Sequence, residues 1–170
     1  MINCYLSILG DALARRLNVL VLTETRHSEK VCLKLDGVHH TLYNSGGPTD
    51  EQRNIGGVGF LVCAGGKPAP SVVQFEARSE RVATLLLDCN GTRIGICAAY
   101  SPTEASQSDT TAIKKLSIRK ELTDAYSSLK RKCKVALVLG DFNCRLGRDA
   151  DRLALKIVGA GSVATTENGL

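Results

Sequence analysis

The hydrophobic positions of this chain fall into short aliphatic runs, separated by polar, Gly-rich or Pro-containing stretches. Examples are "LNVLVL", which ends in "TETR", and "VGFLVC", which follows "NSGGPTDEQRNIGG". Short runs of β-branched and aliphatic residues bounded by turn-forming residues are typical of buried strands. A short helix is predicted over residues 7–16, directly before the first of these strands.

Two pairs of alternating runs predict β-hairpins. "VCLKL" and "VHHTLYN" flank Asp36-Gly37, and "VATLLLDC" and "TRIGICAAY" flank Asn90-Gly91. Both dipeptides favour the positive φ angles of the tight turn that joins antiparallel strands. A purely parallel, doubly wound sheet would not contain such turns.

A second helix is predicted before the last aliphatic run, "VALVLGDFN". Its apolar residues recur at spacings of four, three, four and four, which places them on one face of an amphipathic helix: Ile118, Leu122, Ala125, Leu129 and Cys133. Hairpins mixed with helices predict an α/β sandwich with mixed or antiparallel sheets. The remaining tail, residues 145–170, shows no clear periodicity.

Three predicted strands end in polar side chains. The first ends in Glu24, another in Tyr100, and the last in Asp141 and Asn143. Asp and Asn after a strand often form a turn, because both bond to their own backbone. If instead the strand continues, its period of two places Asp141 and Asn143 on one face and Phe142 on the other, towards the core.

Together these strand ends suggest a metal-assisted site for phosphoryl chemistry. A hard cation such as Mg²⁺ prefers oxygen ligands and keeps several waters, so one or two carboxylates suffice to bind it. The cation neutralises the phosphate oxygens and the leaving oxygen. We therefore expect Mg²⁺ as the cofactor, with Mn²⁺ as the alternative.

The ordered motifs "LTETR", "GGVGFLV", "AAYSPT" and "LGDFN" resemble the endonuclease/exonuclease/phosphatase superfamily. They look most similar to the apurinic-endonuclease-like endonucleases of non-LTR retrotransposons, and "IVGAGSVATTENGL" is similar to a later segment of those proteins. The resemblance covers about residues 17–170. It implies an α/β fold, an incomplete four-layer sandwich of two mixed, largely antiparallel sheets, with residues 1–170 forming one partial domain.

The resemblance also implies roles for single residues. Glu24 matches the metal-binding glutamate, and Asp141 is expected to share that ion. Tyr100 matches a tyrosine that contacts the scissile phosphate. Asp141 matches the aspartate that orients or deprotonates the attacking water, and Asn143 matches an amide that holds water and phosphate. The implied activity is metal-dependent hydrolysis of DNA or another nucleic acid.

Some family motifs have no clear match here. Asn3 is the one candidate for an asparagine on the family's first strand, but it lies closer to Glu24 than expected. No segment matches the family's late aspartate and Asp-His pair, and we expect His27, His39 and His40 to be surface or edge residues. Reduced activity is therefore expected. The alternatives are an inactive remnant that serves as an interaction module and, less favoured, a phosphatase or phospholipid hydrolase.

Composition adds limits on size, partner and compartment. The 170 residues suit one domain, with 44% hydrophobic and 23% charged residues. The net charge of +5 is compatible with a polyanionic partner but does not require one. The basic stretch "KKLSIRKELTDAYSSLKRKCK" is interpreted as a solvated helix face.

Seven cysteines without a C-x-x-C pair argue against a zinc site and favour a reducing, intracellular compartment, nuclear or cytoplasmic. No apolar run is long enough to span a bilayer. Oligomeric state is not indicated.

Overall fold

A computed structural model describes residues 2–26, 31–35, 37–46, 56–64, 69–102 and 109–143. Its helices and strands are, in chain order, α1 (Ile2–Ala14), β1 (Val19–Thr23), β2 (Val31–Leu35), β3 (Val38–Asn44), β4 (Val58–Val62), β5 (Ser71–Ala77), β6 (Val82–Cys89), β7 (Thr92–Tyr100), α2 (Asp109–Lys130) and β8 (Val135–Asp141).

The strands form two four-stranded sheets. Sheet A has the order β1-β4-β3-β2 and all its pairs are antiparallel. Sheet B has the order β5-β6-β7-β8, with β5, β6 and β7 antiparallel and β8 parallel to β7. Helix α2 provides the crossover that a parallel pair needs. Both predicted hairpins are confirmed, as β2-β3 and β6-β7.

The two sheets pack face to face, with one helix on each outer face. Between the sheets, β4 contributes Phe60 and its alternate neighbours to a core shared with β6 and β7. The opposite side chain of β4, Leu61, packs with Leu9 of α1. Strand β4 is therefore buried on both faces, which explains its uninterrupted apolar run. The order α1, sheet A, sheet B, α2 confirms the predicted four-layer α/β sandwich.

Helix α2 covers sheet B with the predicted apolar face. Ala125 and Leu129 are buried against Val82, Leu86 and Cys97 of the sheet. The helix begins at Asp109, before the first residue of the predicted face. Neither described helix combines the length and apolar character needed to cross a bilayer.

Two parts of sheet B differ from the sequence prediction. Strand β5 was not predicted, because its "SVVQFEA" interrupts the alternation of polar and apolar residues and pairs through an irregular register at Val72 and Gln74. Strand β8 was predicted to be buried but is an edge strand among the described residues. Leu137 and Leu139 are 43% and 42% exposed. Aliphatic content predicts a strand, but not whether a neighbour will cover it.

The described cysteines behave as reduced side chains. Cys63 and Cys97 are buried, as expected for small hydrophobic residues, and Cys4, Cys89 and Cys133 are also free thiols. Burial raises the pKa of the Cys97 thiol to about 11, which makes it unreactive near neutral pH.

The prediction that the histidines are surface or edge residues is wrong for His40, and His27 lies outside the described residues. His39 is exposed, but His40 is 1% exposed, because alternate side chains of β3 face opposite sides of sheet A. Its Nδ1 accepts a hydrogen bond from the Ala64 backbone N–H at 3.1 Å. Burial, followed by the charge of His39, lowers the pKa of His40 from its usual 6.5.

We expect His40 to make stability depend on pH below 6.5. The unfolded chain binds a proton at His40 near pH 6.5, whereas the folded chain binds it only at lower pH. This contribution to stability is present above pH 6.5 and is lost as the pH falls towards the lowered folded pKa. The variant His40→Asn keeps an acceptor for the Ala64 N–H. Its free energy of unfolding, measured with urea, should fall less steeply than that of the wild-type protein between pH 6.5 and 5. The slopes should differ by at most about 1.4 kcal/mol per pH unit. Equal slopes would contradict the prediction.

Candidate active site

Three of the four residues selected from the sequence meet at one rim of the sandwich, across both sheets. Tyr100 ends β7 and lies opposite Asp141 at the end of β8. Its hydroxyl donates a hydrogen bond of 2.5 Å to Oε1 of Glu24, which follows β1 in the other sheet. Residues 76 positions apart are thus in direct contact. This places Glu24, Tyr100 and Asp141 in one cluster.

Glu24 is directed towards Tyr100 by an unusual backbone conformation. Strand β1 ends at Thr23, and Glu24 adopts a φ of 55°. The next residue, Thr25, donates its backbone N–H to the Gly57 carbonyl at 3.1 Å. Tyr5 of α1 donates its hydroxyl to the Thr25 carbonyl at 2.9 Å. The segment that carries Glu24 is therefore held by sheet A and by the helix behind it.

Gly57 is required where the Glu24 segment meets β4. It has a φ of 88°, and a Cβ added here would overlap Thr25 Oγ1 and lie 2.9 Å from the Arg26 backbone nitrogen. Only glycine allows this approach without displacing the neighbouring backbone. The "GG" of the motif "GGVGFLV" thus has a structural reason that its sequence alone did not give.

The two oxygens of Glu24 have different partners. Oε1 accepts from Tyr100, and Oε2 lies 3.5 Å from Nη2 of Arg26. The Glu24 side chain is 49% exposed, so solvent weakens this ion pair. The carboxylate is therefore oriented mainly by Tyr100 while remaining open to solvent and to ligands.

Tyr100 acts as a hydrogen-bond donor at neutral pH. The hydrogen bond to Glu24, then burial, raises the pKa of Tyr100 above its usual value of 10, while the charge of Arg81 acts in the opposite direction. The charge of Asp141 also raises it, consistent with the closeness of the two side chains. The hydroxyl thus keeps its single proton, which it donates to Glu24 and could give to another acceptor only in exchange for that bond.

Asp141 and Asn143 are brought together by a turn, so the interpretation based on strand alternation is wrong. Strand β8 ends at Asp141, and Asn143 adopts a φ of 45°. Asp141 Oδ1 accepts the Asn143 backbone N–H at 2.9 Å, as in an Asx turn. Asn143 Nδ2 donates to the Ser101 carbonyl at 2.7 Å. The bond to Ser101 holds the turn beside the end of β7, and Phe142 is half-buried.

Arg81 lies under the site and was missed by the sequence interpretation. Its guanidinium lies 5.0 Å from the centroid of the Tyr100 ring, a cation–π geometry, and its carbonyl accepts the Tyr100 backbone N–H at 2.9 Å. The sequence did contain a signal. A two-residue turn at Asn90-Gly91 fixes the register of β6 and β7, and extending that register beyond Val82 and Ala99 places Arg81 beside Tyr100.

Backbone hydrogen bonds link the segments that carry these side chains. Gly57 bonds to the Thr25 segment through its carbonyl and to the Glu80 carbonyl through its N–H, at 2.8 Å. Tyr100 bonds to Arg81, and the Ser101 N–H donates to the Asp141 carbonyl at 2.9 Å. We call this chain of contacts the rim network. It crosses from sheet A to sheet B and joins the segments that carry the site residues.

The oxygen donors at the rim fit a hard divalent cation. Glu24 and Asp141 supply carboxylates on adjoining segments, and the exposure of both leaves room for coordinating waters. Among the described residues no three His, Cys, Asp or Glu side chains form a cluster that could hold a metal ion. Asn3, the candidate for an additional polar ligand, lies in α1. Two exposed carboxylates with room for water are donors that a hard divalent cation could use.

A groove leads from the rim along the open edges of the two sheets. It has a volume of about 470 Å³ and runs between β1 and the end of β8. Its lining is largely aliphatic, from residues such as Leu20 and Leu139, and it reaches Asp141. The groove gives solvent and ligands access to the water-activating candidate from the side of β1.

The chain was compared with known proteins. Neither a family model nor a curated protein matches it. Its structure is similar to a humanized TDP2 of D. rerio carrying 14 mutations, at 11% identity and a TM-score of 0.48. It is also similar to the catalytic domain of human Nocturnin with a bound sulfate anion, at 16% identity and a TM-score of 0.43. The matches cover 93% and 81% of this chain but only 63% and 55% of those chains. This chain thus spans less than two thirds of either.

We expect Gly57→Ala to destabilise the protein more than Gly37→Ala. Both glycines have positive φ, 88° and 78°, but only at Gly57 would the new Cβ collide with its surroundings. The control should lose about 1 kcal/mol of unfolding free energy from its backbone conformation. Gly57→Ala should lose at least about 1 kcal/mol more, measured by urea unfolding. Equal losses would show that the approach of Gly57 to Thr25 is not tight in solution.

Proposed function

We propose that this chain belongs to a metal-dependent phosphodiesterase of the endonuclease/exonuclease/phosphatase superfamily that hydrolyses nucleic acid. The observation that carries the proposal is the Tyr100–Glu24 hydrogen bond, which joins two sheets beside Asp141. Together with the order of the four motifs, it supports a relation to the endonucleases of non-LTR retrotransposons. Residues 1–170 would then form one partial domain of this kind, with the resemblance strongest over residues 17–170.

In this proposal each rim residue has a separate task. Asp141 accepts a proton from the attacking water, and its bond to the Asn143 N–H fixes the carboxylate in orientation. Tyr100 has a single hydroxyl hydrogen, so it would donate to a non-bridging phosphate oxygen only after releasing Glu24, which then holds the divalent ion. The Asn143 amide, which bonds to Ser101, positions the phosphate and the water. Glu24 and Asp141 would hold the divalent ion, which supplies charge neutralisation at the phosphate when bound.

One observation supports the alternative of an inactive remnant with a binding role. Among the described residues no histidine lies at the rim, because His39 and His40 are at the opposite end of β3. Phosphodiester hydrolysis needs stabilisation of the charge that develops on the phosphate, and losing one preorganised donor typically costs about a hundredfold or more. The two candidates differ in metal binding and in turnover, which can be measured separately.

We expect Asp141→Asn to abolish most hydrolysis of nucleic acid. The substitution removes the proton acceptor and changes the shape of the side chain little, so nicking of supercoiled plasmid in Mg²⁺ should fall by about a hundredfold to a thousandfold. Asp124→Asn, at an exposed position on α2, is the matched control and should retain full activity. Activity that persists in Asp141→Asn would assign the nicking to a contaminant or to another site.

Metal binding at the rim should stabilise the fold independently of turnover. We expect the thermal midpoint of the wild-type protein to rise as Mg²⁺ increases, because a ligand bound only by the folded state adds to its stability. Glu24→Gln should remove most of this rise, while Glu76→Gln in β5 should not. No rise in the wild-type protein would contradict the metal site and favour the remnant.

A further inference from the structure

A cluster of basic side chains lies at the end of sheet B opposite the rim. Arg93 is near the start of β7, Lys134 directly precedes β8, and Arg131 and Lys132 follow α2. With Gly91, Thr92 and Cys133 they line a shallow depression of about 510 Å³. All four cationic side chains are exposed. We call this cluster the distal basic patch.

The patch brings together residues from separate elements. The Lys134 backbone N–H donates to the Arg93 carbonyl at 3.1 Å, which fixes the segment after α2 beside the start of β7. The basic stretch was interpreted from sequence as a solvated helix face. Its last residue, Lys134, lies beside Arg93, which comes 38 positions before Arg131 in the chain. Cations at a helix C-terminus stabilise the helix dipole, which accounts for Arg131 and Lys132. It does not account for Arg93 or Lys134.

Among the described residues none forms an ion pair with the four cations of the patch. The ion pairs at Arg26, Arg78 and Arg81 involve none of its four side chains. Asp88 lies opposite Arg93 in the strand register and its Oδ1 accepts the Gly91 N–H at 2.8 Å; it forms no ion pair with Arg93, but its charge offsets part of the local positive charge. Lys132 makes one polar contact, from Nζ to Gln74 Oε1 at 3.3 Å. Four neighbouring cations in a chain of net charge +5 form a strong local positive field.

We infer that the distal basic patch binds the phosphate backbone of nucleic acid, independently of base sequence. Four cations around a polar depression complement closely spaced phosphates. The lining offers no large apolar side chain that could enter a lipid bilayer, which favours nucleic acid over a membrane surface. The identification of nucleic acid as the ligand rests on the proposed function. The observation that the four cations form no ion pair is independent of that function.

The position of the patch separates its role from hydrolysis. Tyr100 follows Arg93 by seven positions along β7, and Asp141 follows Lys134, the residue before β8, by seven positions. At about 3.3 Å per residue the patch lies about 23 Å from the rim. It therefore contacts a part of the polymer remote from the scissile phosphate. Its loss should weaken binding and raise KM for long substrates, while kcat stays unchanged.

The test is a binding titration in EDTA, with the Asp141→Asn variant as background so that hydrolysis plays no part. A fluorescent single-stranded 30-mer is followed by anisotropy at several salt concentrations. Arg93→Glu/Lys134→Glu should weaken binding tenfold or more at low salt. Arg93→Ala/Lys134→Ala should reduce the slope of log K against log salt by about 1.4, because each phosphate contact contributes about 0.7 for single strands.

Matched controls separate the patch from net charge and from folding. Lys114→Glu/Lys120→Glu changes the charge equally at exposed positions on helix α2, away from the patch, and should weaken binding less than twofold. Thermal unfolding of the alanine variant shows whether the fold is retained. Equal effects of the two charge-reversed pairs would overturn the inference. So would patch-dependent binding to vesicles containing phosphatidylserine without an effect on the 30-mer, because the partner would then be a membrane.

The outcome is distinguishable from failure of the proposed function. If the wild-type protein does not nick plasmid but its binding in EDTA depends on the patch, hydrolysis is refuted and binding of nucleic acid by the patch is supported. Intact, Asp141-dependent nicking with patch-independent binding and unchanged KM would refute the patch and leave hydrolysis assigned.

Discussion

The hydrogen bond from Tyr100 to Glu24 is the contact on which the rim of this protein depends. It connects the ends of β7 and β1, which belong to different sheets, at a point where no strand pairing could do so. Face-to-face packing through Phe60 sets the distance between the sheets but does not fix the direction of a carboxylate. The positive φ of Glu24 and the absence of a side chain at Gly57 provide that direction. Packing energy and site geometry therefore have separate origins in this fold.

Much of sheet B followed from local sequence, because a two-residue turn fixes every pair of the hairpin that it closes. Asn90 and Gly91 have the predicted positive φ angles, 53° and 79°, and the register continues to the far end of both strands. Extending this register by one more pair, to the rim, places Arg81 beside Tyr100. The apolar face of α2 was equally readable, since Ala125 and Leu129 are buried as their spacing predicts. These features depend on neighbours within one or two elements of the chain.

The features that could not be predicted depend on distant partners. The aliphatic residues of β8 do not tell whether another strand or a helix covers them, and Leu139 is 42% exposed. The approach of Glu24 to Tyr100 requires the packing of two sheets, so only the family resemblance suggested it. At Asp141 and Asn143 the choice between strand and turn was open locally, and the turn formed because Asn143 also bonds to Ser101. Asp141 and Asn143 are therefore neighbours because of a turn, and not because they lie on one face of a continuing strand.

A polyanion bound as proposed would need two separate sources of attraction. Carboxylates at Glu24 and Asp141 repel a phosphate, and only cations within about a Debye length, roughly 8 Å at physiological salt, can offset that locally. Arg26 lies 3.5 Å from Glu24, and Arg81 lies beneath Tyr100; with a bound divalent ion these are the local counter-charges. The distal basic patch is too remote to act on the reacting phosphate through the field. Its contribution is to hold a different part of the same polymer, so affinity and chemistry can change independently at the two ends of sheet B.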